Sequence, residues 1–188
     1  PTNFGIMAAS GARTSGGRWQ PANTRTIGLE TEVAFRLARD LPPRGTPYSR
    51  EEVLDAVAAA FPLLELVQSR YADHKIVAPG EGMADNIAHH GYVVGADVAE
   101  WRRQDLANLA VRQSYGGAVQ VEQKGGNPSV DPVLPLVWLA NNLHGLGEHL
   151  RAGQVVTTGT YTGCIFVPPG QRVVAGFEGF GEVVCDLA

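Results

Sequence analysis

Residues 27–37 alternate. Ile27, Leu29, Thr31, Val33, Phe35 and Leu37 take one side, and Gly28, Glu30, Glu32, Ala34 and Arg36 the other. A period of two predicts a β-strand with one buried face. The stretch before it, from Pro1 to Arg25, is rich in Gly, Ser, Thr and Asn and reads as loop, with a short strand expected near Phe4–Ala8. Pro42, Pro43, Gly45 and Pro47 mark a loop after the strand. The run "SREEVLDAVAAAF" then predicts a helix. Ser49 is its N-cap, Glu52 its capping-box partner, Val53, Val57 and Ala60 its apolar stripe, and Pro62 its stop. "LLELVQSRY" reads as a short buried strand interrupted by Glu65, and "YVVG" as another strand. Between them lies an irregular segment with a short helix expected near Ala84–His90.

Further on, "LANLAVRQSYGGAVQVEQKGG" predicts two strands joined at a Gly-Gly turn. "DPVLPLVWLANNLHGLG" predicts a second helix, capped by Asp131, with Pro132 in its first turn and Gly145 or Gly147 at its end. "VVTTG" and "VVAGFEGFGEVVCDL" supply the closing strands. Two main helices among many strands define an α+β class built on a rolled or sandwiched mixed sheet. The helices are too sparse for a doubly wound sheet or a TIM barrel. We find no internal repeat and no domain linker, so residues 1–188 read as a single catalytic-type domain.

Composition narrows the function. Fifteen basic residues stand against 19 acidic, a net charge of −4, with no basic run. That argues against nucleic acid and against a charged membrane surface as partners. No apolar stretch is long enough to span a bilayer. Cys164 and Cys185 fit no metal or redox spacing and read as reduced thiols of a cytoplasmic protein.

The chemistry lies in the carboxylates. Side chains two apart on a strand project together, so Glu30 and Glu32 share a face. Charges that close raise each other's pKa unless something neutralises them. Either the face is solvated or a hard divalent cation sits between the acids. Glu65 adds weight to the cation, because an unpaired acid inside Leu63-Leu64-Glu65-Leu66-Val67 would be costly to bury.

Other candidates carry less. The side chains of His89 and His90 diverge on most backbones, which suggests a satisfied surface pair. Asp85-Asn86 fits a turn or cap as well as a ligand. The Thr157–Gly163 loop offers hydroxyls and backbone N–H groups to an anion. There is no phosphate loop, GxSxG motif or Cys/His nucleophile arrangement.

Six segments, in order, carry a family likeness: "GLETEVAFRLARDLP", "LLELVQSRY", "MADNIAHHGYVVG", "GGNPSVDPVLPLVWLANNL", "LRAGQVVTTG" and "GFGEVVCDL". Together they resemble the 2-keto-4-pentenoate hydratase and 4-oxalocrotonate decarboxylase branch of the fumarylacetoacetate hydrolase superfamily. The resemblance implies a mixed β-sandwich roll and a divalent metal, Mg²⁺ or Mn²⁺ with Ca²⁺ as a further candidate, held by Glu30, Glu32 and Glu65. It implies a short 2-oxo acid or its dienol as substrate, chelating the metal as Lewis acid, with Leu29, Asp85, Thr158 and Gly159 lining the pocket. It also implies a homo-oligomer. A hydratase would add water to a 2-hydroxy-2,4-dienoate, and a decarboxylase would release CO₂ from the same kind of enolate. Both need a proton shuttle.

The sequence departs from the pattern at that shuttle. Resembling members place an acid immediately before Phe-Gly, where this chain has Asn3, and a Lys further upstream. Where hydratases have Ala-Ser after Asp-Asn, this chain has Ile87-Ala88. Three readings follow: a fragment lacking an N-terminal segment, a divergent member with different chemistry, or a binding protein that has lost activity. His89 is the candidate to replace a lost base.

Overall fold

The computed structural model describes residues 4–20, 26–72 and 76–188. Eleven strands form two mixed sheets among these residues. The first sheet runs β1 (Ala12–Thr14), β5 (His89–Val94), β4 (Val57–Val67), β3 (Ile27–Leu37), β8 (Val155–Thr160), with β9 (Ile165–Val167) also pairing with β3. The second runs β2 (Gly17–Trp19), β11 (Gly181–Leu187), β10 (Arg172–Phe177), β6 (Ala110–Tyr115), β7 (Ala118–Lys124). β1–β5 and β2–β11 pair parallel, and the other ladders are antiparallel.

The alternation of β3 sets the layers. Ile27 and Leu29, with Leu64, Leu66 and Val93, meet Val173, Ala175, Val183 and Cys185 of the second sheet in a closed core. Further along, Val33, Phe35 and Leu37 pack with Val53, Val133, Leu136 and Trp101. The other face of β3 is not solvated either: Ala34 joins Ala59, Phe61, Leu63 and Tyr92 in a smaller apolar cluster flanked by Met7.

The expected capping box is present, with Ser49 accepting from the Glu52 N–H and Glu52 from the Ser49 N–H. The helix it starts, α1 (Arg50–Asp55), is shorter than the sequence pattern suggests. Val57 and Ala60 lie on β4, and Pro62 sits within that strand instead of ending a helix. Pairing with the whole length of β3 overrides the helix preference of the Ala-rich run. Pro62 is tolerated because β4–β5 pairing begins only at Leu63; its carbonyl accepts from Gly95 N–H, and no donor is needed on that side.

Phe4–Ala8 forms no strand, and the first regular elements are a 3-10 turn at Ala9–Gly11 and β1. The β6–β7 hairpin turns at Gly116-Gly117 as expected. α3 (Val133–Asn142) is capped by Asp131, whose carboxylate accepts from Val133 N–H at 2.9 Å and from Arg50 of α1 at 2.6 Å. Gly147, in the left-handed region at φ 75°, closes the turn after it. Among the described residues no helix is long and apolar enough to cross a membrane, and Cys164 and Cys185 are both free thiols.

Candidate metal centre

Strand register builds the site. Glu30 on β3 lies directly across from Glu65 on β4, and Glu32 follows two residues along the same face. Ligand oxygens of the three carboxylates lie within 4.8 Å of one another. Glu32 is 2% exposed, so the face is not a solvated one.

Each acid has its own protein partner. Glu32 Oε2 accepts from the Gly159 backbone N–H at 3.0 Å. Glu65 Oε1 lies 2.7 Å from His89 Nδ1. Glu30 has the Cys164 thiol as its neighbour. None of these partners is a Lys or an Arg, and the acids repel. Burial, then the Glu65 charge, pushes Glu30 from its ordinary 4.5 up to about 7, with the neighbouring Cys164 thiol opposing. Burial, then the charges of Glu65 and Glu30, raises Glu32 well above the usual carboxylate range, against the pull of the Gly159 N–H. Burial, helped by the Glu30 charge, pushes the Cys164 thiol up to about 12. A cluster of three oxygen donors with unrelieved negative charge fits a hard divalent cation.

His89 and His90 do not form a surface pair: His89 is buried and His90 half-buried. His89 is buried against Glu65 and Tyr92, and His90 packs edge-on to Trp19. His89 thus acts through Glu65, as a positioning residue. Partners of this kind are worth about 10–100-fold in metal affinity. His89→Ala should weaken Mg²⁺ binding by about tenfold with His89→Gln intermediate, as read by calorimetric titration; unchanged affinity in both would contradict this role.

The segment before His89 is not the expected helix. α2 (Pro79–Ala84) ends earlier, and Asn86, Ile87 and Ala88 all take left-handed conformations at φ 54°, 56° and 59°. Each such residue costs about 1–2 kcal/mol, so the turn needs anchors. Asp85 accepts from Ser69 Oγ at 2.7 Å and from the Arg70 backbone and guanidinium. Burial pushes Asp85 upward, but these bonds outweigh it and its pKa is lowered. The Asn86 side chain accepts from Ile6 N–H and donates to Ile6 C=O, standing in for a neighbouring strand.

The residues expected to meet substrate divide. Gly159 stands at the carboxylates through its N–H. Leu29 points to the opposite side of β3, into the core between the sheets. Thr158 is buried and its hydroxyl donates to Val33 C=O at 3.2 Å. Asp85 is committed to its turn. For Leu29 and Thr158 the reason is strand parity: each neighbours Glu30 or Gly159 in sequence and so faces away from it. Thr157 lies beside Met7 instead. Asn3 lies outside the described residues. Cys164, which the sequence did not single out, comes near Glu30 because it directly precedes Ile165, the β9 residue paired with Leu29. A separate cleft of about 430 Å³, lined by Arg112, Ser114, Glu122, Glu178 and Glu182 among others, belongs to the second sheet.

A mixed-sheet roll carrying three convergent carboxylates on one strand pair defines a class of hard-cation sites. The chain belongs to the fumarylacetoacetate (FAA) hydrolase C-terminal family, whose model matches residues 7–188. It is 33% identical over 155 residues to the 2-keto-4-pentenoate hydratase of Paraburkholderia xenovorans, covering 82% of this chain and 56% of that protein. A 4-oxalocrotonate decarboxylase of a Pseudomonas species is 31% identical over 159 residues, covering 82% of this chain and 58% of that one. The chain therefore spans less than two thirds of the length of these curated relatives. In structure it is similar to the 4-oxalocrotonate decarboxylase of Pseudomonas putida G7 complexed with magnesium and adipate. That match has a TM-score of 0.86 and 26% identity, covering 98% of this chain and 69% of the other.

Proposed function

We propose that the chain is the catalytic-type domain of a divalent-metal-dependent lyase, a 2-keto-4-pentenoate hydratase-like enzyme. Its substrate is a short 2-hydroxy-dienoate or 2-oxo acid from the breakdown of aromatic compounds. The observation that carries this reading is the convergence of Glu30, Glu32 and Glu65 on one face, in a chain whose relatives include such hydratases. The three carboxylates would hold Mg²⁺ or Mn²⁺, with Ca²⁺ also admitted by an all-oxygen set. When bound, the cation supplies Lewis-acid polarisation of the oxo acid's oxygens.

The chain's own residues do the rest. Gly159 N–H and His89 fix the directions of Glu32 and Glu65. Ala34, Phe61, Leu63 and Tyr92 form a buried apolar cluster on that sheet face, which is unfavourable to stray water beside the acids. We place the protein in the cytoplasm as a homo-oligomer, as part of the same proposal.

A 4-oxalocrotonate-type decarboxylase is the second reading, favoured by the agreement with the P. putida structure. An acylpyruvate C–C hydrolase and a non-catalytic oxo-acid binder would use the same acids. The test is to supply the full-length gene product with a 2-hydroxy-2,4-dienoate and with 4-oxalocrotonate. Mg²⁺- or Mn²⁺-dependent loss of dienol absorbance is expected. Release of CO₂ from 4-oxalocrotonate alone would move the assignment to the decarboxylase. Tight oxo-acid binding without turnover of either would overturn the enzyme in favour of the binder.

A further inference from the structure

The Gly159 N–H that holds Glu32 is delivered by a bulge in β8. Glu32 pairs with Thr160 and Ala34 with Thr157, so Thr158 and Gly159 together stand opposite Val33. Two residues against one disrupt the ladder locally and re-aim the groups of the longer strand. Gly159 takes φ 98° there, which favours glycine. The Thr158 hydroxyl donates to Val33 C=O at 3.2 Å, and the Gly159 N–H meets the Glu32 carboxylate at 3.0 Å.

The carbonyls of the bulge are met by one side chain. Asn127, in the chain between β7 and α3, is 5% exposed. Its Nδ2 donates to Thr158 C=O at 3.1 Å and to Gly159 C=O at 3.0 Å, while its Oδ1 accepts from Ser129 N–H at 2.9 Å. These contacts fix which end of the amide is which, because turned over it would set its oxygen against two carbonyl oxygens. Gly126, at φ 114°, lets the chain come this close: a Cβ there would lie 2.5 Å from the Tyr161 carbonyl oxygen. Val130 N–H donates to Asn127 C=O at 2.9 Å and closes the turn.

Thr158 C=O and Gly159 N–H are the two ends of one peptide group. A planar peptide cannot turn one end without the other. A donor on the carbonyl therefore sets the direction of the N–H, and it also polarises the peptide, which strengthens the N–H as a donor. The connected path runs from Asn127 Nδ2 through that peptide to Glu32 Oε2.

We propose that Asn127 is a positioning residue of the cation site: its amide holds the Thr158–Gly159 peptide so that the Gly159 N–H points at Glu32 and keeps that carboxylate turned toward Glu30 and Glu65. This rests on the cation reading above. Asn127→Ala removes both donors. Asn127→Asp has the same shape and keeps an acceptor for Ser129 N–H, but as a carboxylate it offers neither carbonyl a donor.

The experiment is calorimetric titration of Mg²⁺ into metal-stripped parent and Asn127→Ala, with a melting curve for each, and the NMR position of the Gly159 amide proton in parent, Asn127→Ala and Asn127→Asp. Asn127→Ala is expected to weaken Mg²⁺ binding about three- to tenfold. The Gly159 amide proton should move upfield in both variants as its bond to the carboxylate lengthens. Loss of stability alone would not move that proton. Parent-like affinity in Asn127→Ala, or an unmoved Gly159 proton in Asn127→Asp, would overturn the proposal while leaving the cation site standing. If Asn127→Ala fails to fold, the Asn127→Asp spectrum decides by itself. Absence of Mg²⁺ binding by the parent would overturn the cation reading, and this inference with it.

Discussion

Metal-stripped Glu30→Gln/Glu32→Gln protein should melt about 5–10 °C above the metal-stripped parent at pH 8. The usual effect of altering two buried polar residues is destabilisation, so the expected sign is informative. At that pH the parent holds up to three carboxylates whose oxygens come within 4.8 Å of one another. Glu30, moved from 4.5 to about 7 by burial and by Glu65, is held charged at a cost of about 2 kcal/mol once its partial exposure is allowed for. Glu32, raised in the same direction and fully buried, adds to that. Glutamine keeps the shape and an acceptor oxygen for Gly159 N–H while removing the charge. For a domain of this size each kcal/mol is worth about 2–4 °C. A thermal melt of the two metal-free proteins decides the matter. A variant that melts at or below the parent would mean the carboxylates do not strain the empty site.

The second large effect is a stability profile that inverts with metal. Glu30 is raised above its unfolded value, so between about pH 4.5 and about 7 the folded protein holds more protons than the unfolded one. Its contribution to metal-free stability is full below about 4.5 and is lost as pH rises through about 7. The metal-free protein should therefore melt progressively lower between pH 5 and 8. A cation must displace the same proton, so Mg²⁺ affinity should climb across that window and level off above it. With saturating Mg²⁺ the melting temperature should hold or rise where the metal-free protein falls. Parallel melts from pH 5 to 8, with and without Mg²⁺, read both arms. Two curves of the same slope would contradict the assignment of Glu30 to the site.

Much of this was legible in the sequence, and the misses have physical reasons. The alternation of Ile27–Leu37, the Ser49–Glu52 capping box, the Gly116-Gly117 hairpin and the Asp131 cap are local signals, and each appears in the structure. Strand parity put Glu30 and Glu32 on one face and the apolar run made Glu65 conspicuous, but the pattern left a solvated face open and only the family resemblance joined the three in one metal site. Val57–Phe61 misled because alanine favours helix, yet the segment faces a strand of equal length that can bury it. Asn86–Ala88 misled because the left-handed turn depends on side chains of Ser69, Arg70 and Asp85 and on the Ile6 backbone, none of them recognisable as partners from spacing. Cys164 read only as a reduced thiol, because its place near Glu30 depends on how the chain between β8 and β9 passes beside β3. The side chains of Leu29 and Thr158, each next in sequence to a residue at the carboxylates, point to the other face, since one residue exchanges faces along a strand.

The most direct test of the central claim is calorimetric titration of Mg²⁺ and of Mn²⁺ into metal-stripped parent beside Glu30→Gln/Glu32→Gln. Saturable binding near one ion per chain in the parent, absent in the variant, is the predicted result. Equal binding by both proteins, or none by the folded parent, would contradict a cation site built from Glu30, Glu32 and Glu65.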